Sequence, residues 1–283
     1  MTWMKDARSV VLLTFDFDAE TLWIGRDAAN WERPGVLSQG AYGARVGVPR
    51  ILDLLRQEDM PATFFVPGWV AEFHKDKVEA IHAAGHEIGH HGYLHEWVDP
   101  SEPEREREAL EKGLEALKAT VGVTPLGYRS PAGEVSYHVA EMLKEKGFLY
   151  DSSMLDDIFP YRSTLLSGEP GVVEIPWSWT LDDAIYLLFS IKNPRAVFTN
   201  DHILKIWTDE FDAIHEWGGV FNLVMHPQVI GRPSRLKLLR DFISYVRKHD
   251  GVVFAQAGEL AHWFADNEPP FEPRRIPRRP VGA

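Results

Sequence analysis

The stretch "HEIGHHGYLHE", residues 86–96, puts four histidines into ten positions, and its reading decides the fold. Read as a helix, His86-Glu87-Ile88-Gly89-His90 is H-E-x-x-H, the zinc signature of a metalloprotease, with both histidines on one face. Gly85 before it and Gly89 inside it are poor helix formers, at roughly 1 kcal/mol each. The preceding segment "DKVEAIHAAG" reads as a helix that Gly85 closes, so a strand is due next. In a strand, positions four apart lie about 13 Å from each other, too far to share a metal. His86 and His90 therefore read as structural. His91 and His95 differ: Gly92 permits a sharp turn at the strand end, and one helical turn would bring both imidazoles to a common point.

Two imidazoles need a carboxylate to make a tight site. The candidate lies in "SVVLLTFDFD", residues 9–18, a β-rich run ending in acid. Asp16 and Asp18 are two apart and face one side of the strand, while Phe15 and Phe17 face the other. Like charges that close are costly without a cation or proton between them. Aspartates at a strand end fraying into solvent are the bland alternative, which the histidine pair weakens.

The rest of the chain alternates strand-like and helix-like segments. "ATFFVP", "LGYRSP", "FLYDSS", "VVEIPW", "VFNLVMHP" and "GVVFAQ" read as strands. "VPRILDLLRQEDM", "EVSYHVAEMLKEKG" and "SRLKLLRDFISYVRKH" read as helices. In "SEPEREREALEKGLEALKATVG", Ser101 and Glu104 suggest a capping box, and Leu110, Leu114, Leu117 and Val121 form one apolar face. The glycine-rich residues between the first strand and Val48 read as a long functional loop. The alternation implies an α/β fold with a parallel sheet, whose about seven β/α units could close into a barrel. Asp16, Asp18, His91, Arg129, Asp151 and His226 all fall at C-terminal strand ends, where such folds build active sites.

The chain has 283 residues, 45% hydrophobic, with a net charge of −12 and no cysteine. Residues 1–266 read as a single domain, followed by a Pro/Arg-rich tail at 267–283 that is either disordered or laid along a neighbouring subunit. Disulfides, thiolate metal sites and a cysteine nucleophile are excluded. No basic footprint for nucleic acid is visible. No apolar window reaches the roughly 20 residues of a membrane span, and the N-terminus reads as a strand and not a signal peptide. A cytoplasmic protein is expected.

Taken together, "TFDFDAE", "GHEIGHHGYLHE", "YRSPAGE" and "NLVMHP" resemble the motifs of the polysaccharide deacetylases, carbohydrate esterase family four, in order and over most of the chain. "FDFDAETLW", "EIPWSWTLDD" and "MHPQVIGRP" are similar to an intracellular subgroup that includes a peptidoglycan deacetylase, allantoinases and cyclic imide hydrolases. The resemblance implies a distorted (β/α) barrel, with Asp18, His91 and His95 holding one divalent metal ion, zinc first among the candidates. It implies Asp16 as general base, Arg129 holding Asp16, His226 as general acid and the Ala132 N–H as oxyanion donor. Trp23, Tyr93 and Glu134 are further substrate candidates, and a dimer or tetramer is implied. The family pattern is broken where Phe17 splits the aspartate pair and Gly92 follows the first metal histidine. The aspartate that orients the late histidine is open between Asp151, Asp182 and Asp183. Allantoinase members lose the first aspartate and do without metal, whereas this chain keeps both.

On the residues alone, Arg129 could be a surface strand-end cation and His226 a satisfied core histidine. Trp69, Trp177 and Trp179, like Trp23, lie near strand ends, but most tryptophans simply fill cores. The expected activity is hydrolysis of a non-peptide C–N bond, in an N-acetylated sugar or a cyclic imide or ureide. Two other classes compete: a two-histidine, one-carboxylate iron oxygenase site, which the helical content disfavours, and a non-catalytic carbohydrate-binding protein.

Overall fold

In a computed structural model, which describes residues 3–190, 194, 196–274 and 276–277, one sheet organises the chain. Its strands are β1 (Ser9–Asp16), β2 (Thr63–Val66), β3 (Glu87–His90), β4 (Gly127–Tyr128) and β5 (Tyr150–Asp151), followed by β6 (Tyr161–Thr164), β7 (Pro170–Glu174), β8 (Val220–Met225) and β9 (Val252–Ala255). The spatial order is β6-β7-β5-β4-β3-β2-β1-β8, with β9 also paired to β1. Every pairing is parallel except β6 with β7. Past the end of β7, Asp182 makes an isolated parallel bridge to Val224 of β8, which brings the two ends of the sheet towards each other. The expected distorted β/α barrel is the fold, with nine strands among the described residues in place of about seven.

Alternation along β1 explains how the site is placed. Val11, Leu13 and Phe15 join the helices in one core with Ile51, Leu55, Phe211 and Phe242. Val10 and Leu12 point the opposite way, into a second core with Val173, Val220 and Val253. Thr14 and Asp16 share the parity of Val10 and Leu12, so the interior column ends in a carboxylate. Phe15 stacks on Phe64 with ring centres 4.7 Å apart, worth about 0.5–1.5 kcal/mol beyond its buried area.

The histidine stretch follows the strand reading: β3 ends at His90, and no helix spans His86 and His90. His90 lies buried, its Nε2 2.9 Å from the Leu110 carbonyl. The expected helical turn at 91–95 is instead a bend in which Gly92 and His95 both take positive φ, 71° and 56°.

Other expectations change. The long loop is helical: Thr21–Ile24, Ala28–Glu32 and Pro34–Tyr42 are followed by a π-type turn, Gly43–Gly47, that runs straight into the helix Val48–Gln57. Its glycines mark close approach. A Cβ on Gly25 would overlap the His95 carbonyl, one on Gly40 the Ala19 carbonyl, and one on Gly47 the Pro227 carbonyl. The Ser101/Glu104 capping box does not form. Pro103 takes the first helical position of Pro103–Val121, and Ser101 turns back to Asp99. The helix Asn200–Trp217 was not anticipated, although Ile203, Trp207, Phe211 and Ile214 are buried at helical spacing and Gly218 ends it at φ 82°.

The described part of the tail makes contacts with its own chain. Glu268 pairs with Arg162 at 2.5 Å, and Arg274 pairs with Asp157 at 2.5 Å while its guanidinium sits 3.6 Å from the Tyr161 ring centre. Residue 275 and residues 278–283 lie outside the described residues.

Candidate active site

Asp16 ends β1 facing the interior, where Arg129, just past β4, meets it with an Nη1···Oδ1 distance of 2.9 Å. Arg129 is only 1% exposed. It also donates to Thr14 Oγ1 at 2.9 Å, to the Ser152 carbonyl at 3.1 Å and to Ser152 Oγ at 3.0 Å. Its guanidinium lies 4.2 Å from the Phe65 ring centre. A buried cation so held is no surface strand-end residue. Burial pushes the Asp16 carboxyl up, but the charge and hydrogen bond of Arg129, with the charge of His226, outweigh that and hold it below the usual carboxylate range.

Asp18, wholly buried, lies just beyond the strand. Its Oδ1 is 3.5 Å from His91 Nε2 and 3.9 Å from His95 Nε2. Donors on one tetrahedral ion at ~2.0–2.2 Å lie roughly 3.3–3.6 Å apart, so this set is slightly wider than a closed shell and fits a metal. Two further observations support the fit. Asp18 Oδ1 is buried and has no hydrogen-bond partner. His91 Nδ1 lies 2.7 Å from the Arg129 carbonyl, so Nδ1 carries the proton and the Nε2 lone pair faces Asp18. Burial lowers the His91 pKa and takes His95 down to about 3, leaving both imidazoles neutral as metal binding requires. Burial also pushes Asp18 well above the carboxylate range, a cost that a bound cation would remove.

His226 follows β8. Its Nδ1 is 2.7 Å from Asp183 Oδ1, its backbone N–H donates to Asp183 Oδ2 at 3.1 Å, and its Nε2 is 3.8 Å from Asp18 Oδ2. Asp182 is farther, at 3.9 Å from Nδ1, and accepts from the Ala184 N–H. Burial would lower the His226 pKa, but the Asp182 charge and the hydrogen bond and charge of Asp183 raise it well above the normal value. Of the three rival orienting aspartates, Asp183 makes the contact. Asp151 is excluded, since it turns to Ser153 Oγ at 2.5 Å and lies opposite Glu174 on β7.

A cavity of about 220 Å³ opens over these groups, lined among others by Asp16, His91, His95, Arg129, Ala132, Trp177, Trp179 and His226. Ala132 has φ 58°. The remaining substrate candidates do not reach it. Tyr93 faces away, donating to Glu72 at 2.8 Å beneath the Lys112 ammonium, because alternate residues of the 91–95 bend point to opposite sides. Leu22 and Arg26 line the cavity where Trp23 was expected. The Glu134 carboxylate accepts from the Val135 N–H. Trp69 stacks on Phe73 instead of reaching the cavity. The sequence reading passed over Gln228, whose Nε2 is 3.3 Å from Asp18 Oδ2, and Thr14, Ser152 and Asn222, which surround the Arg129 guanidinium. Gln228 sits two residues after a motif histidine, a signal present in "MHPQ".

A family model for polysaccharide deacetylases matches residues 4–150. The chain is 33% identical over 280 residues to a peptidoglycan deacetylase of Helicobacter pylori, with 90% of this chain and 95% of the other covered. It is 30% identical over 258 residues to a peptidoglycan deacetylase-like protein of Gibberella zeae, covering 79% and 76%. Among solved structures, a putative polysaccharide deacetylase from Mycobacterium smegmatis superposes with a TM-score of 0.92 at 39% identity, covering 99% and 97%. Puue allantoinase superposes with a TM-score of 0.82 at 26% identity, covering 94% and 93%.

Proposed function

The chain belongs to the polysaccharide deacetylase family, and on that premise we propose that it hydrolyses the N-acetyl amide of an amino sugar to acetate and a free amine. One observation carries the reading. A buried, unpartnered Asp18 oxygen faces two neutral imidazoles, with a charged Asp16 to one side and a protonated His226 to the other.

Asp18, His91 and His95 would hold a divalent ion, which supplies Lewis acidity towards the amide carbonyl and acidifies water. Zinc is the ion proposed, because imidazole and carboxylate donors without thiolate suit it. Asp16, kept ionised by Arg129, takes the proton of the attacking water. The Ala132 N–H donates to the oxygen that gains charge as the carbonyl carbon becomes tetrahedral. His226 then gives its Nε2 proton to the nitrogen as the C–N bond breaks, while Asp183 fixes its tautomer through Nδ1. Arg129 is a positioning residue. A homo-oligomer and a cytoplasmic location complete the reading, checked by sedimentation and by cell fractionation. Among the described residues no helix is long and apolar enough to cross a membrane.

A second reading, opening of a cyclic imide or ureide, is favoured by the small cavity and the likeness to an allantoinase. Retention of Asp16 supports deacetylation. The deciding experiment incubates zinc-loaded protein with N-acetylglucosamine oligomers, succinimide, hydantoin and allantoin. Acetate release from the oligomers is expected. Ring opening without acetate release would move the assignment to the second reading, and an oligosaccharide that binds but stays intact would make the protein a non-catalytic binder.

A further inference from the structure

The bend at 91–97 and the turn at 130–132 form a wall with a cavity on each side. His91, His95 and Ala132 line the catalytic cavity. Their chain neighbours Gly92, Tyr93, Leu94 and Pro131 line a second cavity of about 340 Å³, closed on its far side by the helix Pro103–Val121. Trp97 lines both. It is 54% exposed, and the Arg26 guanidinium, itself a lining group of the catalytic cavity, sits 5.3 Å from its ring centre.

The second cavity has a fixed wall. The Glu96 carboxylate accepts the Tyr93 and Leu94 N–H groups at 2.9 and 2.8 Å. Glu106, 8% exposed, is held by the N–H and hydroxyl of Ser136. In all, five carboxylates and two cations line it, so an anionic ring is disfavoured there and hydroxyl donors are suited.

Size decides the rest. The catalytic cavity, at about 220 Å³, is smaller than the roughly 300–1,000 Å³ of pockets that enclose drug-sized ligands. An oligosaccharide with one N-acetyl group seated there must leave it, and Trp97 is where the second cavity begins. We propose that the second cavity is a subsite for a further, uncharged sugar ring of the same glycan, with Trp97 packing against a ring and the cavity carboxylates accepting its hydroxyls. This inference rests on the deacetylase reading and narrows its substrate to oligosaccharides. A lone imide ring would have no use for the second cavity.

The test compares kcat/KM for one-ring and three-ring N-acetylglucosamine substrates in the wild type, Trp97→Ala and Ala109→Trp. The last replaces a small lining residue on the far helix and fills the cavity without touching the catalytic loop. In the wild type, the three-ring substrate should be better by roughly tenfold, the scale of one well-placed aromatic contact. Both variants should bring the ratio towards one. Titration of the three-ring glycan into metal-free protein gives a readout independent of turnover, and both variants should weaken it. Equal kcat/KM in the wild type, or a ratio and affinity that neither variant moves, would overturn the subsite and leave deacetylation standing. Failure to release acetate at any length, with succinimide opened instead, would remove the reading beneath it.

Discussion

Two buried triads of aspartate and histidine stand side by side, 3.8 Å apart between Asp18 Oδ2 and His226 Nε2: Asp18 with His91 and His95, and Asp182 with Asp183 and His226. They contain the same two residue types in opposite proportion. With one carboxylate for two imidazoles, burial wins and both rings are neutral, their nitrogens free to bind a cation. With two carboxylates for one imidazole, the carboxylates win and the ring keeps its proton. The stoichiometry of donors thus sets whether a dry site takes a metal ion or a proton, and an amide hydrolase needs one of each.

The largest test breaks the first triad. Asp18→Ala or His91→Ala should abolish bound metal, measured by elemental analysis, and lower kcat/KM by at least about 10³-fold. An active variant that keeps its metal would end the assignment. Next, Asp183→Asn should leave metal content unchanged but lower kcat by roughly 10²-fold or more, since the tautomer and the imidazolium both lose support.

The sign of the pH effect is also fixed. His226 acts protonated and its pKa is raised, so activity falls as pH climbs through that value. Removing Asp183 lowers the pKa, and the alkaline limb of the pH–rate profile should move to lower pH. Asp182→Asn, at 3.9 Å, should shift the same limb in the same direction with a loss in kcat of about tenfold or less.

A third pair sharpens the comparison by lacking a base altogether. Asp151 and Glu174 face each other on neighbouring strands, and burial pushes Asp151 up to about 7 and Glu174 well above the usual range. Between the unfolded value near 4 and about 7, the folded protein holds a proton that the unfolded chain has released. Stability should therefore fall as pH rises across that window, and the Asp151 part of the slope ends near 7 while Glu174 extends the fall above it. Asp151→Asn should flatten this slope, removing roughly 2–3 kcal/mol of the difference between urea titrations at pH 5 and pH 8.

Much of this was legible in the residues. Strand periodicity in "SVVLLTFDFD" put Asp16 on the interior face, and the glycines around His86 ruled out the protease helix. The choice among Asp151, Asp182 and Asp183 was not legible. It depends on the Asp182–Val224 bridge and on the Asp183 N–H bonding to the Val224 carbonyl at 3.1 Å, a pairing between segments some forty residues apart. Tyr93 faces away from the site because the chain bends through two positive-φ residues, Gly92 and His95, where the spacing of the histidines suggests a helical turn. The segment 21–47 reads as a loop because its glycines look like breakers. Their role is to let helical backbone lie directly on other backbone, a tertiary reason that propensity does not contain.

That last feature changes how a mutational survey of this enzyme would look. Gly25, Gly40 and Gly47 press against the carbonyls of His95, Ala19 and Pro227, and those three residues are, or directly follow, His95, Asp18 and His226. One helical belt therefore acts as a jig that spaces the strand tips from outside. In a saturation screen scored only on turnover, all three glycines would register as if they were part of the chemistry. A parallel score of melting temperature would separate jig from machinery, since enlarging a glycine unseats the backbone while Asp16→Asn leaves it in place.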